Sequence, residues 1–230
     1  MYNAELGVGC NSAQSNCQNS NGCSGTPDLC IKRHDGKPHF KVSVSDCDGV
    51  VDLTDENLVL EASMWFDAKL KADILVSGTS LSFADNIGFN SVLVGDVIST
   101  SRPRSPERML VASINESAKS VTVQRGYDGT SAYAWSKGEP LKVFKFRDAS
   151  AEIESVFEEA TNLDGTTTTS LTDTFLVFKW SGSQTSLPGC YWLEFKLIMM
   201  SGLNVEWTKR FPLSNDGFLI SVIDSPTSEI

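Results

Sequence analysis

Apolar and polar side chains alternate with a period of two in several short stretches of the chain. Phe40, Val42 and Val44 form one such stretch, and positions 58–64 form another. Alternation of this kind predicts half-buried β-strands. The same pattern, or a compact apolar run, predicts further strands at 74–76, 92–98, 109–114, 120–124, 141–146, 174–180, 191–199, 206–211 and 219–223.

One stretch has a helical period instead. Within residues 149–160, Ile153, Val156, Phe157 and Ala160 would lie on a single face of a helix. The pattern therefore predicts an α-helix there. The threonine run that follows is predicted to be a loop or an edge strand.

Composition and strand spacing divide the chain into three parts. Residues 1–36 form a cysteine-rich N-terminal arm, in which positions 7–30 are mostly Gly, Asn, Ser, Gln and Cys and offer almost nothing to bury. Residues 37–72 offer too few strands to cover a core, so we expect them to join 148–230 in one antiparallel β-sandwich. The closely spaced strands of 73–147 predict an inserted small β-barrel or sandwich unit. The expected fold class is mainly β.

Aromatic and alternating residues identify candidate core and interface positions. In the strand at 191–199, Tyr191, Leu193 and Phe195 share one face, which we expect to be buried. Large aromatic side chains also anchor protein–protein interfaces. Trp65, Trp135 and Trp207 are therefore predicted to be core or interface anchors, and they are the candidate interface residues.

Composition and charge exclude several classes of function. The chain has 230 residues, is 40% hydrophobic and carries a formal net charge of −10. Because phosphate binding needs a basic surface, this charge argues against direct contact with nucleic acid. We expect no membrane span and no secretory signal, since no sufficiently long apolar run and no apolar N-terminal segment occurs. Two histidines, His34 and His39, leave little room for histidine-based hydrolysis or metal binding.

The cysteines carry the strongest chemical signal. Cys10, Cys17, Cys23 and Cys30 are spaced C-x6-C-x5-C-x6-C in the glycine-rich arm. Four thiolates are the usual complement for an iron–sulfur cluster or a structural zinc ion. The close C-x2-C pairs of zinc ribbons are missing, which favours an iron–sulfur cluster, of the 4Fe–4S type, over zinc. Two disulfides without a cofactor, or four free thiols, are the alternatives.

The remaining polar clusters have simpler explanations. Cys47 and Cys190 are expected to be small buried residues. Asp46, Asp48 and Asp52 could suggest a calcium loop, but they lack the EF-hand pattern and indicate a hairpin turn. The basic cluster Arg102, Arg104 and Arg108 is expected in a solvated loop. No P-loop, nucleophile elbow, GxGxxG or HExxH motif occurs, so we do not expect an enzyme.

Two sets of residues resemble proteins of tailed phages. Residues 121–132 read V-T-V-Q-R-G-Y-D-G-T-S-A, and 134–141 continue as A-W-S-K-G-E-P-L. This segment resembles one common in tailed-phage virion proteins, in which a strand runs into an R-G-Y-D-G-T turn and a short helical piece. The whole arrangement, including the segments G-V-G-C and P-D-L-C-I-K-R, also resembles uncharacterised phage and prophage proteins with a cysteine-rich start.

The flanking strands carry the second resemblance. The K-P-H-F segment through V-D-L-T at 37–54, G-C-Y-W-L-E-F at 189–195 and the strand and closing turn at 218–227 are similar to the N-terminal β-sandwich of phage baseplate upper proteins. In this comparison 73–147 is an insertion and the cysteine arm an addition.

The resemblance implies a structural subunit of a phage tail or baseplate. Such a protein would be assembled in the bacterial cytoplasm, would join other virion proteins in a symmetric homo-oligomer and would reside in the virion. A thiolate-bound cluster or metal would make its arm rigid. The alternatives are a capsid decoration or head–tail joining protein, a carbohydrate-binding host-attachment module, and a redox or metal-dependent enzyme using the cysteines.

Overall fold

The fold is mainly β, as predicted, and it divides into two compact units. The central unit comprises Ser63–Arg147, and the flanking unit comprises the chain up to Ala62 and from Asp148. The predicted insertion at 73–147 lies inside the central unit. A computed structural model of the protein describes residues 28–32, 39–46, 49–100, 106–181, 183–212 and 217–223.

The strands of the flanking unit belong to two main sheets and a small hairpin. In one sheet the order is β1-β15-β13-β5, with β14 also paired to β13, and in the other it is β11-β12-β2. The β1 strand runs parallel to β15, whereas β13 runs antiparallel to β15. The bounds are β1 Leu29–Lys32, β2 His39–Ser43, β3 Ser45–Asp46, β4 Gly49–Val50, β5 Leu58–Lys69, β11 Glu152–Thr161, β12 Thr167–Lys179, β13 Gly189–Ser201, β14 Asn204–Phe211 and β15 Phe218–Ile223.

Three phenylalanines join the two sheets of the flanking unit. Phe40 of β2 stacks on Phe195 of β13 with ring centroids 6.0 Å apart. It also lies 5.4 Å from the ring of Phe218 on β15. Since β2 belongs to one sheet and the other two strands to the second, these contacts form a sandwich core.

The predicted inward face of β13 is confirmed. Tyr191, Leu193, Phe195 and Leu197 are each at most 1% exposed. The alternating polar residues between them lie on the opposite face, as the two-residue period of a strand requires.

The helix predicted at 149–160 is wrong, because this segment is strand β11. It pairs with β12 from Glu152↔Val177 to Thr161↔Thr167, with a register shift between Val156 and Phe157. The apolar face proposed for the helix is not buried, since Val156 is 40% exposed and Phe157 53% exposed. The threonine run beyond the turn supplies the partner strand, so long-range pairing overrides the local period.

The central unit is an open ladder of short antiparallel strands and not a closed barrel. Its strand order is β10-β7-β8-β9-β6. The predicted hairpin around 115–119 is present as β8 and β9. The bounds are β6 Ser80–Ser82, helix α1 Asn86–Asn90, β7 Val97–Thr100, β8 Arg108–Asn115, β9 Ser120–Gln124, a 3-10 turn Tyr127–Gly129 and β10 Pro140–Ser150.

Two predicted strands of this unit are shorter than expected. Ile74 forms only an isolated bridge with Trp135. The stretch at 92–98 begins as a turn, because Gly95 has φ +95° and the amide of Asp96 donates to the carbonyl of Leu93. Regular pairing therefore starts at Val97. None of the helices in the described part of the chain is long and apolar enough to cross a membrane.

Candidate functional site

The R-G-Y-D-G-T turn is the most tightly constructed feature of the central unit. Gly126 has φ +62°, and a Cβ added there would lie 2.8 Å from the carbonyl oxygen of Thr130. The Thr130 hydroxyl donates to the carbonyl of Tyr127 at 2.8 Å and accepts from the amide of Arg108 at 2.9 Å. The turn therefore needs glycine at its second position and a hydroxyl at its last.

Arg125 anchors this turn to the rest of the unit. Its Nε and Nη2 donate to the two carboxylate oxygens of Glu107 at 2.5 and 2.7 Å. Its Nη1 donates to the carbonyls of Leu75 at 2.9 Å and Gly78 at 2.7 Å, and its Nη2 also donates to the carbonyl of Tyr133. One guanidinium thus connects two separate stretches of backbone with the carboxylate of Glu107.

Glu107 is the buried acceptor at the centre of this network. Its side chain is 0% exposed and that of Arg125 is 7% exposed. Besides the guanidinium, it accepts from the indole Nε1 of Trp135 at 2.6 Å and the amide of Tyr133 at 3.1 Å. Burial opposes ionisation, but the hydrogen bonds from Arg125, Trp135 and Tyr133 outweigh it and hold the pKa of Glu107 below its ordinary value.

These contacts give the R-G-Y-D-G-T motif a structural explanation. The Glu107–Arg125 pair has hydrogen-bond partners on both sides, which a buried ion pair requires. Glu107 was not recognised from the sequence because it lies 18 residues from Arg125 and has no motif of its own. The pair acts as a structural clamp; an acid–base group would instead need a carboxylate open to a substrate.

A second buried ion pair stabilises the same unit. Lys145 contacts Asp96 at 2.7 Å, with side chains only 4% and 6% exposed. The ammonium also donates to the carbonyl of Ser91, and the carboxylate accepts from the amide of Leu93 at 2.8 Å. Burial raises the pKa of Asp96 and lowers that of Lys145, against their mutual attraction.

The basic cluster predicted from the sequence is only partly described. Arg102 and Arg104 lie outside the described residues. Arg108 pairs with Asp128, a residue of the turn, and Arg147 lies 3.6 Å from the same carboxylate. Arg108 is therefore the first residue of β8, where it contacts the turn, and does not lie in a solvated loop.

The structure describes two of the six cysteines, and both are disulfide-bonded. They are Cys30 on β1 and Cys190 on β13. Each is the register partner of Ser221, on opposite sides of β15. Two strand spacings separate their Cα atoms by about 10 Å, which is too far for a single disulfide. Cys30 and Cys190 are therefore not joined to each other.

Of the four cysteines predicted to bind a metal or cluster, only Cys30 is among the described residues. Cys10, Cys17 and Cys23 lie outside the described residues, so the four-thiolate site stays a prediction. Cys30 itself is disulfide-bonded. Cys190 is partly exposed and disulfide-bonded, so the expectation of a simple buried thiol is wrong for it. The described residues contain no group of three His, Cys, Asp or Glu side chains that could hold a metal ion.

The predicted interface tryptophans differ in their exposure. Trp65 and Trp135 are 3% and 2% exposed and are core residues of the central unit. The ring of Trp65 packs 5.7 Å from that of Phe144. Of the two expected roles, core or interface anchor, their burial within one chain agrees with the core role. Trp207 is 41% exposed on strand β14 and remains a candidate.

The aspartate-rich segment near residue 50 forms a hairpin. Strands β3 and β4 pair there, with Asp46 opposite Gly49. Asp52 accepts from the amide and hydroxyl of Thr54 at 2.9 and 2.6 Å, which also lowers the pKa of Asp52. These contacts explain the D-L-T sequence as a local turn. Asp48 and Cys47 lie outside the described residues.

The chain matches no protein-family profile and no curated protein sequence. The resemblance to phage virion proteins therefore stays a prediction that rests on the motifs.

Proposed function

We propose that this protein is a structural subunit of a phage tail or baseplate that joins other virion proteins. The observation that carries the proposal is the use of the R-G-Y-D-G-T segment as a locked turn. Arg125 and Gly126, the first two residues of the motif, have contacts that need those residue types. Because the side chains of this motif form hydrogen bonds within the protein itself, the motif is suited to a structural role.

The flanking unit supplies further support. Its D-L-T segment is a local turn formed by Asp52 and Thr54, and its G-C-Y-W-L-E-F segment opens the sandwich strand β13. These are the elements for which the baseplate-upper-protein resemblance predicts a sandwich. An insertion between two strands of that sandwich would supply a second surface for assembly.

The cysteine-rich arm has a structural role in this proposal. Segments with little apolar surface need another constraint to order them. The disulfide at Cys30 favours sulfur–sulfur cross-links over a cluster or zinc as that constraint.

The proposal is tested on purified tailed particles from the source of the protein. Antibodies against the protein, followed by gold labelling in electron micrographs, should label the tail or its tip, whereas pre-immune serum should not. Labelling of the capsid or neck would support the decoration or joining alternative instead. Absence of the protein from washed particles in quantitative mass spectrometry would refute both.

A further inference from the structure

Strand β14 carries an exposed edge. Among the described strands it pairs only with β13, from Phe195↔Phe211 to Ser201↔Asn204. All residues from 204 to 210 are exposed. The unpaired N–H and C=O groups of such an edge are a template for another strand.

We propose that two copies of the chain pair through their β14 strands, antiparallel and centred on Thr208. Such a pairing is isologous, so the same strand contributes both halves of the interface. It goes beyond the proposed function, because a dimer of this kind does not depend on a place in a virion.

The charges of the strand are self-complementary in this register. With Thr208 opposite its copy, Glu206 of one chain lies opposite Arg210 of the other, twice by symmetry. Opposite charges that face each other across strands stabilise pairing, whereas like charges destabilise it. Shifting the centre by one residue to Lys209 would place that lysine opposite itself.

The aromatic residue of the strand fits the same register. Trp207 lies opposite Lys209 of the second copy, and an ammonium over an indole ring is attractive. A lysine on an edge strand usually prevents association. Here the facing tryptophan, 41% exposed within one chain, gives that lysine a partner.

Glu206 and Arg210 are available for such contacts. The register of β13 and β14 shifts between Met199 and Met200, so Glu206 is the extra residue of a β-bulge, without a partner position on β13, and its side chain is exposed. Arg210 contacts Glu194 within its own chain, yet its side chain is 61% exposed. A guanidinium can bind a second carboxylate with its remaining donors.

Charge reversal tests the register on the full-length protein. Sedimentation velocity over a concentration series should show a monomer–dimer equilibrium for the unmodified chain. Glu206→Arg and Arg210→Glu should each weaken dimerisation by at least about tenfold, because each puts like charges opposite each other. Mixing the two variants should restore dimers, since all facing charges are then opposite.

The controls separate pairing from folding. Glu116→Arg makes the same charge change on an exposed turn of the central unit and should leave dimerisation unchanged. Circular dichroism and thermal unfolding establish that the two β14 variants are folded. A protein that is monomeric at every concentration would overturn the proposal. Dimers that persist in both single variants, or a mixture that does not associate, would overturn it as well. This assay uses isolated protein, so its failure is distinct from a failure to find the protein in tails.

Discussion

Removing the buried carboxylate of Glu107 should be among the most damaging single changes in the central unit. Glu107→Ala leaves the guanidinium of Arg125, 7% exposed, without its counter-charge. It also removes the acceptor for the amide of Tyr133 and the indole of Trp135. Breaking a buried ion pair from one side costs about 3–5 kcal/mol. We expect the free energy of unfolding to fall by that amount.

The assay must follow the central unit by itself, because a chain of two units need not unfold in one step. Urea unfolding monitored by hydrogen exchange at amides of residues 106–135 meets this need. Glu116→Ala is the matched control, because its carboxylate is 75% exposed and its pair with Lys119 is solvated. Such exposed pairs contribute about 0–1 kcal/mol. A loss below about 1 kcal/mol for Glu107→Ala would refute the clamp.

The same carboxylate predicts an acid-sensitive stability. The pKa of Glu107 is lower in the folded chain than its unfolded value of about 4.3. Its contribution is therefore complete above that pH and is lost as the pH falls through the folded pKa. We expect the free energy of unfolding of Glu107→Gln to fall less steeply than that of the unmodified protein as the pH is lowered. Asp96, with a raised pKa, acts in the opposite sense and is present in both proteins, so the difference isolates Glu107. If the free energy of unfolding fell equally with decreasing pH in both proteins, this account would be contradicted.

Three further predictions concern other parts of the fold. Phe195→Ala should cost about 3–5 kcal/mol in urea unfolding, because the ring is 0% exposed in the sandwich core. Gly126→Ala should cost at least about 2 kcal/mol in the central unit, because it combines a strained φ with a backbone clash. Peptide mapping of unreduced protein should find Cys30 and Cys190 in different disulfide-linked peptides, because β15 separates them.

Matched variants make these outcomes decisive. Phe157→Ala removes the same ring from a site that is 53% exposed and should cost less than about 1 kcal/mol. Gly129→Ala has a similar φ of +71° but open space around its Cβ, and should cost about 1 kcal/mol. Equal losses of unfolding free energy in the two phenylalanine variants would contradict the burial of Phe195. Equal losses in the two glycine variants would contradict the backbone clash at Gly126. A peptide linking Cys30 directly to Cys190 would contradict the strand register.

Elements with a local signal could be predicted from the sequence. Alternation from Tyr191 to Leu197 predicts strand β13 and its buried face, because successive side chains of a strand point to opposite sides. The polar turn at 115–119 between two apolar runs predicts a hairpin, and both predictions are confirmed. The mainly β class follows from many such short stretches.

Features that depend on distant partners became visible only in the three-dimensional fold. The segment 152–161 fits a helical period, yet its pairing with β12 makes it a strand. Trp135 is a core residue because Glu107, 28 positions away, accepts from its indole. Cys30 and Cys190 lie two strands apart because β1 and β13 both pair with β15. In each case the decisive free energy comes from a contact between residues far apart in the chain, and local periodicity carries no information about such contacts.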